Sequence, residues 1–434
     1  MPRLHSPRAH WIAIIAVALG VRLAAGAWWE TRLAGGQRFY FADSVSYWEL
    51  GRAIASGHDY SYPTAEDQVF RAPGYPLLLA GLFALGGEDP PVMAARALNA
   101  VLGAVSVALI GWWTAQLFDA RAGRCAGWLA AVYPGAVAMS AFVLSEAPFC
   151  PFMLLELALW SAAWRTPSGP RAAGLAALGG AAGAAATLIR PSWLLFTPLA
   201  IIVSVVADKR HARQLLLGLA LSVAFVCGML PWWIRNARVT GHFVATTLQF
   251  GASLYDGLNP AADGSSNMDF VPRFAAAEHE LDGTPAAAGE TFEDRLNGRL
   301  SAAAWDWTRN DPMRAVQLAG IKFLRMWNIW PNEPALRSWP LRLAVFVSYV
   351  PLLACSLWGV WRFTSRGWPY VLAWLPAVYL TLVHVVFIGS IRYREPAMLA
   401  LIALAAGALA SKAPERGGDD PGRDDPGRLG AAAR

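Results

Sequence analysis

The chain has 434 residues, of which 56% are apolar and 15% are charged, and it contains 21 tryptophans. A soluble domain carries about 25% charged residues, so this composition excludes an ordinary water-soluble protein and favours an integral membrane protein. The net charge of +6 comes from basic residues dispersed along the chain. Because they form no single patch, we expect no nucleic-acid partner.

Long apolar runs recur from one end of the chain to the other. A helix that crosses a bilayer needs about 20 apolar residues, and about ten runs approach that length. They cover 9–29, 92–117, 123–143, 144–164, 171–189, 192–207, 214–234, 340–362, 368–389 and 396–411. We therefore predict an all-α integral membrane protein with about ten transmembrane helices.

Basic residues are concentrated in every second loop between the predicted spans. They are Arg121 and Arg124, Arg165 and Arg171, Lys209, Arg210 and Arg213, and Arg362 and Arg366, with Arg3 and Arg8 before the first span and Lys412 and Arg416 after the last. Short basic loops remain in the cytoplasm. Both termini are therefore expected in the cytoplasm, and 30–91 and 235–339 are expected to face outward.

The first outer loop, 30–91, contains two short runs with the pattern of helices that lie on the membrane surface. The first run begins near Asp43 and is amphipathic. The second opens with the Pro-Gly-Tyr-Pro turn at 73–76 and is too short to span a bilayer comfortably. An aspartate at the start of a helix is more often an N-cap than a catalyst. A carboxylate held against the membrane nevertheless suits an enzyme whose substrate is a lipid.

Further charged side chains fall at the outer ends of predicted spans. Glu146 has apolar neighbours on both sides, and a carboxylate at that depth costs a few kcal/mol unless it is paired or faces water. Arg190, Arg235, Arg392 and Arg394 lie at the same side. Any one of these arginines is compatible with simple snorkelling to the headgroups. Because the guanidinium fork suits phosphate, the group together indicates a site for a lipid-linked phosphate.

The largest polar piece lies between the seventh and eighth spans. Its β-branched run at 239–247 is compatible with a short strand, and 291–330 has a helical pattern that ends like a helix lying on a membrane. The predicted divisions are an N-terminal membrane part that contains the catalytic outer loop 30–91 (1–234), an extracytoplasmic segment (235–339), a C-terminal membrane part (340–411) and a disordered cytoplasmic tail (412–434).

Six short motifs occur in an order that resembles a known superfamily. They are FADSVSYWELGRAIASG, RAPGYPLLLAGLFALGG, LSEAPF, IRPSW, PWWIRN and RYREPAMLAL. In order and spacing they resemble the bacterial membrane glycosyltransferases of the type-C fold, the superfamily of the protein O-mannosyltransferases (glycosyltransferase family 39) and the aminoarabinose transferase of lipid A. The resemblance covers 9–411. Three positions depart from the family pattern: Ala72 replaces a usual proline, Ser44 a frequent second acid, and Glu395 a common neutral residue.

The resemblance implies a polyprenyl-phosphate-linked sugar donor and an inverting displacement at the anomeric carbon. It implies that Asp43 is the general base that activates an acceptor hydroxyl, and that Glu146 orients the acceptor or assists the base. The residues that it implies for substrate binding are Arg190, Arg235, Arg392, Arg394 and Tyr75. The acceptor, whether lipid, polysaccharide or protein, is left open.

The same resemblance places the protein in the cytoplasmic (inner) membrane of a bacterium as a multi-pass protein. It implies no certain cofactor. A divalent metal is left open but finds little support, because Asp43 is followed by Ser44 and a lone carboxylate is a poor divalent site. We predict no metal ligands, and the expected partners are the lipid-linked donor, the acceptor and membrane lipid.

Three other classes of function are compatible with the sequence. A multi-span transporter or lipid flippase is one, although such proteins often show internal repeats and polar residues at the midplane, whereas the polar residues here gather at the outer face. A surface-polysaccharide ligase or polymerase is the second. A degenerate member that acts only as a scaffold is the third.

Overall fold

The computed structural model describes residues 7–33, 35, 37–282, 289–331 and 338–410, and within these ranges the chain forms helices, turns and no β-strand. The helices are α1 (Pro7–Glu30), α2 (Ala42–Ala55), α3 (Gly74–Gly86), α4 (Val92–Leu117), α5 (Ala120–Val132), α6 (Pro134–Ala141), α7 (Glu146–Arg165), α8 (Pro170–Ile189), α9 (Phe196–Ala207), α10 (His211–Thr240), α11 (Phe250–Gly257), α12 (Val271–His279), α13 (Phe292–Asn310), α14 (Pro312–Met326), α15 (Trp339–Phe363), α16 (Trp368–Leu372), α17 (Leu375–Val386) and α18 (Glu395–Ala410). The all-α fold is confirmed. The strand considered at 239–247 is absent, because α10 continues to Thr240 and a turn follows.

Seven helical stretches in the described ranges are long and apolar enough to cross a membrane. They are Arg8–Glu30, Val92–Leu117, Glu146–Arg165, Pro170–Ile189, His211–Thr240, Trp339–Arg366 and Trp368–Val386. Each coincides with a predicted span. The predicted spans 192–207 and 396–411 correspond to shorter apolar helices, Pro191–Ala207 and Glu395–Ala410. The predicted tail at 412–434 lies outside the described residues.

The predicted span at 123–143 differs from the structure, where it is divided between α5 and α6. The division falls at Tyr133, whose backbone is extended and precedes Pro134. A residue before proline is disfavoured in the helical region, and the proline has no N–H for the preceding turn. The hydropathy of this stretch is continuous, so only the backbone chemistry of proline reveals the break.

The core is organised around α18, which is apolar on every side. All its residues except Leu409 are buried, and it packs mainly against α15, α5 and α4. A helix that is hydrophobic all round lies either in a protein core or in a bilayer, and the neighbours of α18 show that it lies in the core. The turn that precedes α18 is therefore anchored in the centre of the helix bundle.

Small residues allow α8 to approach its neighbours closely, as its Gly and Ala content predicts. A Cβ atom on Gly180 would lie 2.0 Å from the carbonyl oxygen of Leu221 on α10, and one on Gly183 would lie 2.8 Å from the carboxyl group of Glu156 on α7. In contrast, nothing lies within 4 Å of the position of a Cβ atom on Gly174. The closest helix contacts of this region thus depend on the absence of side chains.

The first outer loop forms a compact layer of two helices. Trp48 of α2 packs edge-on against Phe83 of α3, and Tyr47 packs against Tyr75. Gly51 permits this approach, since a Cβ atom there would lie 2.9 Å from Leu79. The two helices predicted in this loop are therefore present, and their contacts fix the position of the first turn of α2.

We predict that Gly180→Ala destabilises the protein by about 1–3 kcal/mol, because its methyl group meets the backbone of α10. The matched control on the same helix, Gly174→Ala, enters open space and is expected to be neutral or slightly stabilising. Thermal unfolding in detergent, followed by tryptophan fluorescence, measures the difference. Equal effects of the two variants would contradict the close α8–α10 contact.

Candidate active site

Asp43 lies in the first turn of α2 but does not cap the helix. The N-cap residue of α2 is Phe41, without a side-chain capping bond. The carboxylate of Asp43 instead accepts a hydrogen bond from Nη2 of Arg71 at 2.6 Å and one from Nη2 of Arg392 at 3.3 Å. Its side chain is 36% exposed. The N-cap interpretation is therefore wrong, and Asp43 is an open carboxylate held between two guanidinium groups.

Arg71 is a site residue that the sequence analysis missed. It lies just before α3 and donates to Asp43, to the hydroxyl of Ser46 at 3.0 Å and to the side-chain oxygen of Gln249 at 2.8 Å. Its guanidinium group also lies over the ring of Tyr47. The only signal in the sequence is that an arginine begins the RAPGYP motif, and this does not show where its side chain points.

Arg392 joins the two predicted catalytic carboxylates. It lies in the 3₁₀ turn Ile391–Tyr393 that leads into α18. Its Nη2 atom lies 3.3 Å from Asp43, its Nε atom lies 3.4 Å from Glu146, and it donates to the hydroxyl of Tyr393 at 2.8 Å. Residues that are 349 positions apart along the chain are thereby brought into one site.

Glu146 and Arg190 form the inner end of the site. Glu146 begins α7, its side chain is only 2% exposed, and its carboxylate lies 3.0 Å from Nη1 of Arg190. Arg190 follows the last residue of α8 and donates to the hydroxyl of Ser145 at 3.3 Å. The five side chains Arg71, Asp43, Arg392, Glu146 and Arg190 therefore form one continuous series, which we call the ion-pair network.

The ion-pair network contains three cations and two anions and carries an excess positive charge. Burial alone would raise the pKa of Asp43, but the guanidinium groups of Arg71 and Arg392 outweigh it and hold the pKa well below its ordinary value. Asp43 is therefore ionised at every physiological pH. An excess of guanidinium groups in a partly dehydrated site is the arrangement that favours an additional anion.

Arg394 lies close to the network in sequence but points elsewhere. Its side chain is buried, its guanidinium group lies 3.6 Å from the ring centre of Tyr349, and its Nε atom lies 3.4 Å from Glu395. It also donates to the backbone carbonyl groups of Met326 and Asn328. The structure therefore places Arg394 in the packing around α18 and away from Asp43.

Two other predicted substrate-binding residues also lie outside the network. Arg235 donates to the carbonyl oxygen of Gln68 at 2.6 Å and to that of Tyr60 at 3.2 Å. Tyr75 is fully buried, and its hydroxyl group exchanges hydrogen bonds with Asn99. Of the seven predicted site residues, the structure brings together Asp43, Glu146, Arg190 and Arg392.

No cluster of three or more His, Cys, Asp or Glu side chains suited to a metal ion occurs in the described part of the chain. Within the ion-pair network the two carboxylates are paired with arginines, and cations repel a metal ion.

Comparison with known families gives one match. The sequence model of the dolichyl-phosphate-mannose-protein mannosyltransferase family matches residues 70–234, which is less than half of the chain. The matched part includes Arg71, Glu146 and Arg190 of the ion-pair network, while Asp43 and Arg392 lie outside it. A comparison with curated proteins gives no match.

Comparison with solved structures covers nearly the whole chain. The archaeal oligosaccharyltransferase AglB from Archaeoglobus fulgidus, in complex with an inhibitory peptide and a dolichol-phosphate, is 13% identical over 92% of this chain and 50% of its own, with a TM-score of 0.57. The apo form of that protein gives 12% identity, 93% and 50% coverage and a TM-score of 0.56. The chain has the type-C glycosyltransferase fold.

This type-C chain spans about half the length of the archaeal oligosaccharyltransferase. A third solved structure is ArnT from Cupriavidus metallidurans bound to undecaprenyl phosphate. It is 16% identical over 92% of this chain and 77% of its own, with a TM-score of 0.44. The type-C fold that the sequence motifs indicated is confirmed by the similarity to the archaeal protein.

We predict that Glu146→Ala lowers the stability of the protein by about 3–5 kcal/mol, because it leaves the buried guanidinium group of Arg190 without its counter-charge. The control is Glu49→Ala, which breaks the more exposed pair with Arg52 and is expected to cost at most about 1 kcal/mol. Thermal unfolding in detergent compares the two. A loss for Glu146→Ala no larger than the control would show that the buried pair contributes little.

Proposed function

We propose that the protein is a membrane glycosyltransferase that moves a sugar from a polyprenyl-phosphate donor to an acceptor hydroxyl at the outer face of the membrane. The observation that carries this proposal is the ion-pair network, in which an open carboxylate lies between arginines that suit a phosphate. The type-C fold and the family match support the class of reaction. Its location in a bacterial inner membrane, with both termini cytoplasmic, belongs to the same proposal.

The donor phosphate is proposed to bind at the exposed end of the network. Along the series, the side chains of Asp43 and Arg392 are 36% and 20% exposed, whereas Glu146 is almost completely buried. An approaching phosphate therefore meets Arg392 first, with Arg71 on the other side of Asp43. The archaeal protein of the same fold was solved with a dolichol-phosphate, and a lipid of that kind has the phosphate that these arginines would recognise.

The reaction follows from this placement. Asp43 removes the proton from the acceptor hydroxyl, and the acceptor oxygen forms a bond to the anomeric carbon as the bond from that carbon to the phosphate oxygen breaks. The electron pair of the broken bond remains on the phosphate. Arg392 and Arg71 stabilise the negative charge of the departing polyprenyl phosphate. The configuration of the anomeric carbon is inverted, since attack and departure occur on opposite faces.

Binding of the donor would also activate the base. Without donor, two guanidinium groups make Asp43 a weak base. Phosphate oxygens compete with Asp43 for Arg392 and Arg71, so the carboxylate loses part of its stabilisation and its pKa rises toward the ordinary value. Asp43 then accepts the acceptor proton more readily while the leaving group is in place.

Glu146 has a different proposed role from the one that the resemblance implied. Its burial separates it from an acceptor, while its carboxylate holds both Arg190 and Arg392. We assign it to positioning the arginines. Arg190 then contributes positive charge from within the bundle, whereas Arg235, Arg394 and Tyr75 contribute to the framework around the site.

Asp43→Asn is predicted to reduce sugar transfer by roughly 10²–10⁴-fold, because the amide cannot accept the proton. Mass spectrometry of cell-envelope glycolipids and glycoproteins, in cells that carry either variant, measures the product. Asp59→Asn, in an exposed part of the same loop, is the matched control. Unchanged transfer with Asp43→Asn at normal membrane insertion would count against Asp43 as the base.

Arg392→Ala and Arg71→Ala are each predicted to weaken the binding of undecaprenyl phosphate to the protein in nanodiscs by about tenfold to a hundredfold. This corresponds to the loss of a charged hydrogen bond worth about 1.5–3 kcal/mol. Arg52→Ala, which removes an exposed arginine of α2, is the control and should bind as the wild type does. Equal binding by all three variants would contradict a phosphate site at the network.

A further inference from the structure

The backbone just before Arg71 is held by a carboxylate from a distant part of the chain. Oε2 of Glu293, on α13, accepts a hydrogen bond from the N–H of Gln68 at 2.8 Å and another from the N–H of Val69 at 2.7 Å. The side chain of Glu293 is buried, with 5% of the residue exposed. A buried carboxylate that accepts two adjacent backbone donors fixes the direction of that peptide.

The other backbone groups of residues 68–69, which we call the clamped segment, are paired as well. The carbonyl oxygen of Gln68 accepts from Arg235 at the end of α10, and that of Val69 accepts from the backbone N–H of Leu248 at 3.0 Å. The side chain of Val69 is fully buried in a small apolar cluster with Trp232 and Val244. The clamped segment is therefore held from several sides by residues of 232–293.

We propose that Glu293 is a positioning residue for the phosphate site, which it serves by holding the clamped segment so that Arg71 reaches Asp43. This inference rests on the proposed function, because it assigns Glu293 a role in binding the donor. Glu293 touches neither Asp43 nor Arg71 directly. Its effect passes through two residues of backbone.

The geometry of Arg71 makes it sensitive to such a displacement. Its guanidinium group reaches three acceptors at 2.6–3.0 Å, namely Asp43, Ser46 and Gln249. A shift of about 1 Å in the backbone lengthens these bonds beyond the normal range. Gln249 belongs to the same stretch, 232–293, that holds the clamped segment. This stretch therefore fixes the backbone before Arg71 and also supplies one of the acceptors of its guanidinium group.

Glu293 is also a titratable group, and its surroundings fix the direction of its effect. Burial raises the pKa of Glu293, the N–H groups of Val69 and Gln68 lower it, and Asp67 and Asp294 raise it, so that the resulting pKa is about 7. Arg235 is the cation that faces it. Since the solvated carboxyl has a lower pKa, ionisation favours opening of the clamp, and the clamp becomes easier to open as pH rises toward and through 7.

Hydrogen exchange in the full-length protein, reconstituted in nanodiscs, tests the clamp itself. Glu293→Ala is expected to increase amide exchange of 60–72 by roughly tenfold, whereas Glu293→Gln keeps an acceptor oxygen and should protect this region at least as well as wild type at pH 8. The pH dependence of the protection, after correction for intrinsic exchange, should also weaken in Glu293→Gln. Glu290→Ala, an exposed carboxylate nearby, is the matched control.

Binding of undecaprenyl phosphate tests the positioning role. Glu293→Ala is expected to weaken binding by roughly tenfold, and Glu293→Gln is expected to restore it. Glu293→Asp keeps the carboxylate but moves its oxygen away from the N–H groups of 68–69, because its side chain is shorter. This variant replaces Glu293→Ala if the latter fails to fold, and an intermediate loss of binding is expected. Rescue by Gln distinguishes a hydrogen-bond acceptor from a general need for charge at this position.

The outcomes separate the two proposals. If wild type binds undecaprenyl phosphate, Arg392→Ala weakens it and neither Glu293→Ala nor Glu293→Asp does, the positioning role is overturned while the proposed function stands. Unchanged exchange of 60–72 in those variants overturns the clamp in the same way. If wild type does not bind the lipid, the proposed function fails and this inference fails with it.

Discussion

The site depends on one interaction above all, the contact of Arg392 with two carboxylates. A buried guanidinium group and a buried carboxylate each cost several kcal/mol when unpaired, so neither is stable without the other. Arg392 contacts Asp43 on one side and Glu146 on the other. Arg71 is the second partner of Asp43, and Arg190 is the second partner of Glu146. Removing Glu146 leaves Arg190 without a carboxylate, and removing Asp43 leaves Arg71 without one, whereas removing Arg392 separates the network into two ion pairs.

The helix bundle fixes the positions of the side chains that make this contact. Glu146 begins α7, Arg190 follows α8, and Arg392 precedes α18, so three helix ends meet at the same side of the bundle. The glycines of α8 set the separation of two of these helices, and the first outer loop brings Asp43 and Arg71 over them. The chemistry is thus assembled from loops and helix ends, whereas the spans provide their spacing.

Hydropathy and motif order predicted most of the architecture and four members of the network. Helices in a bilayer or in a protein core are apolar, so apolar runs identify them, but hydropathy does not change at the backbone break before Pro134. Hydropathy also does not show where a side chain points. Arg392 and Arg394 are two residues apart in one short stretch, yet only Arg392 faces Asp43. Arg71 was missed for the same reason, since its role depends on a contact with α2 that no local pattern encodes.

The burial of α18 on almost every side limits how far the segments attached to it can move. The turn that bears Arg392 continues directly into this helix, so a large displacement of the turn would disrupt the centre of the bundle. The position of the Arg392 guanidinium group is therefore tied to the packing of α18, and a substitution that alters this packing would move Arg392 away from Asp43 and Glu146.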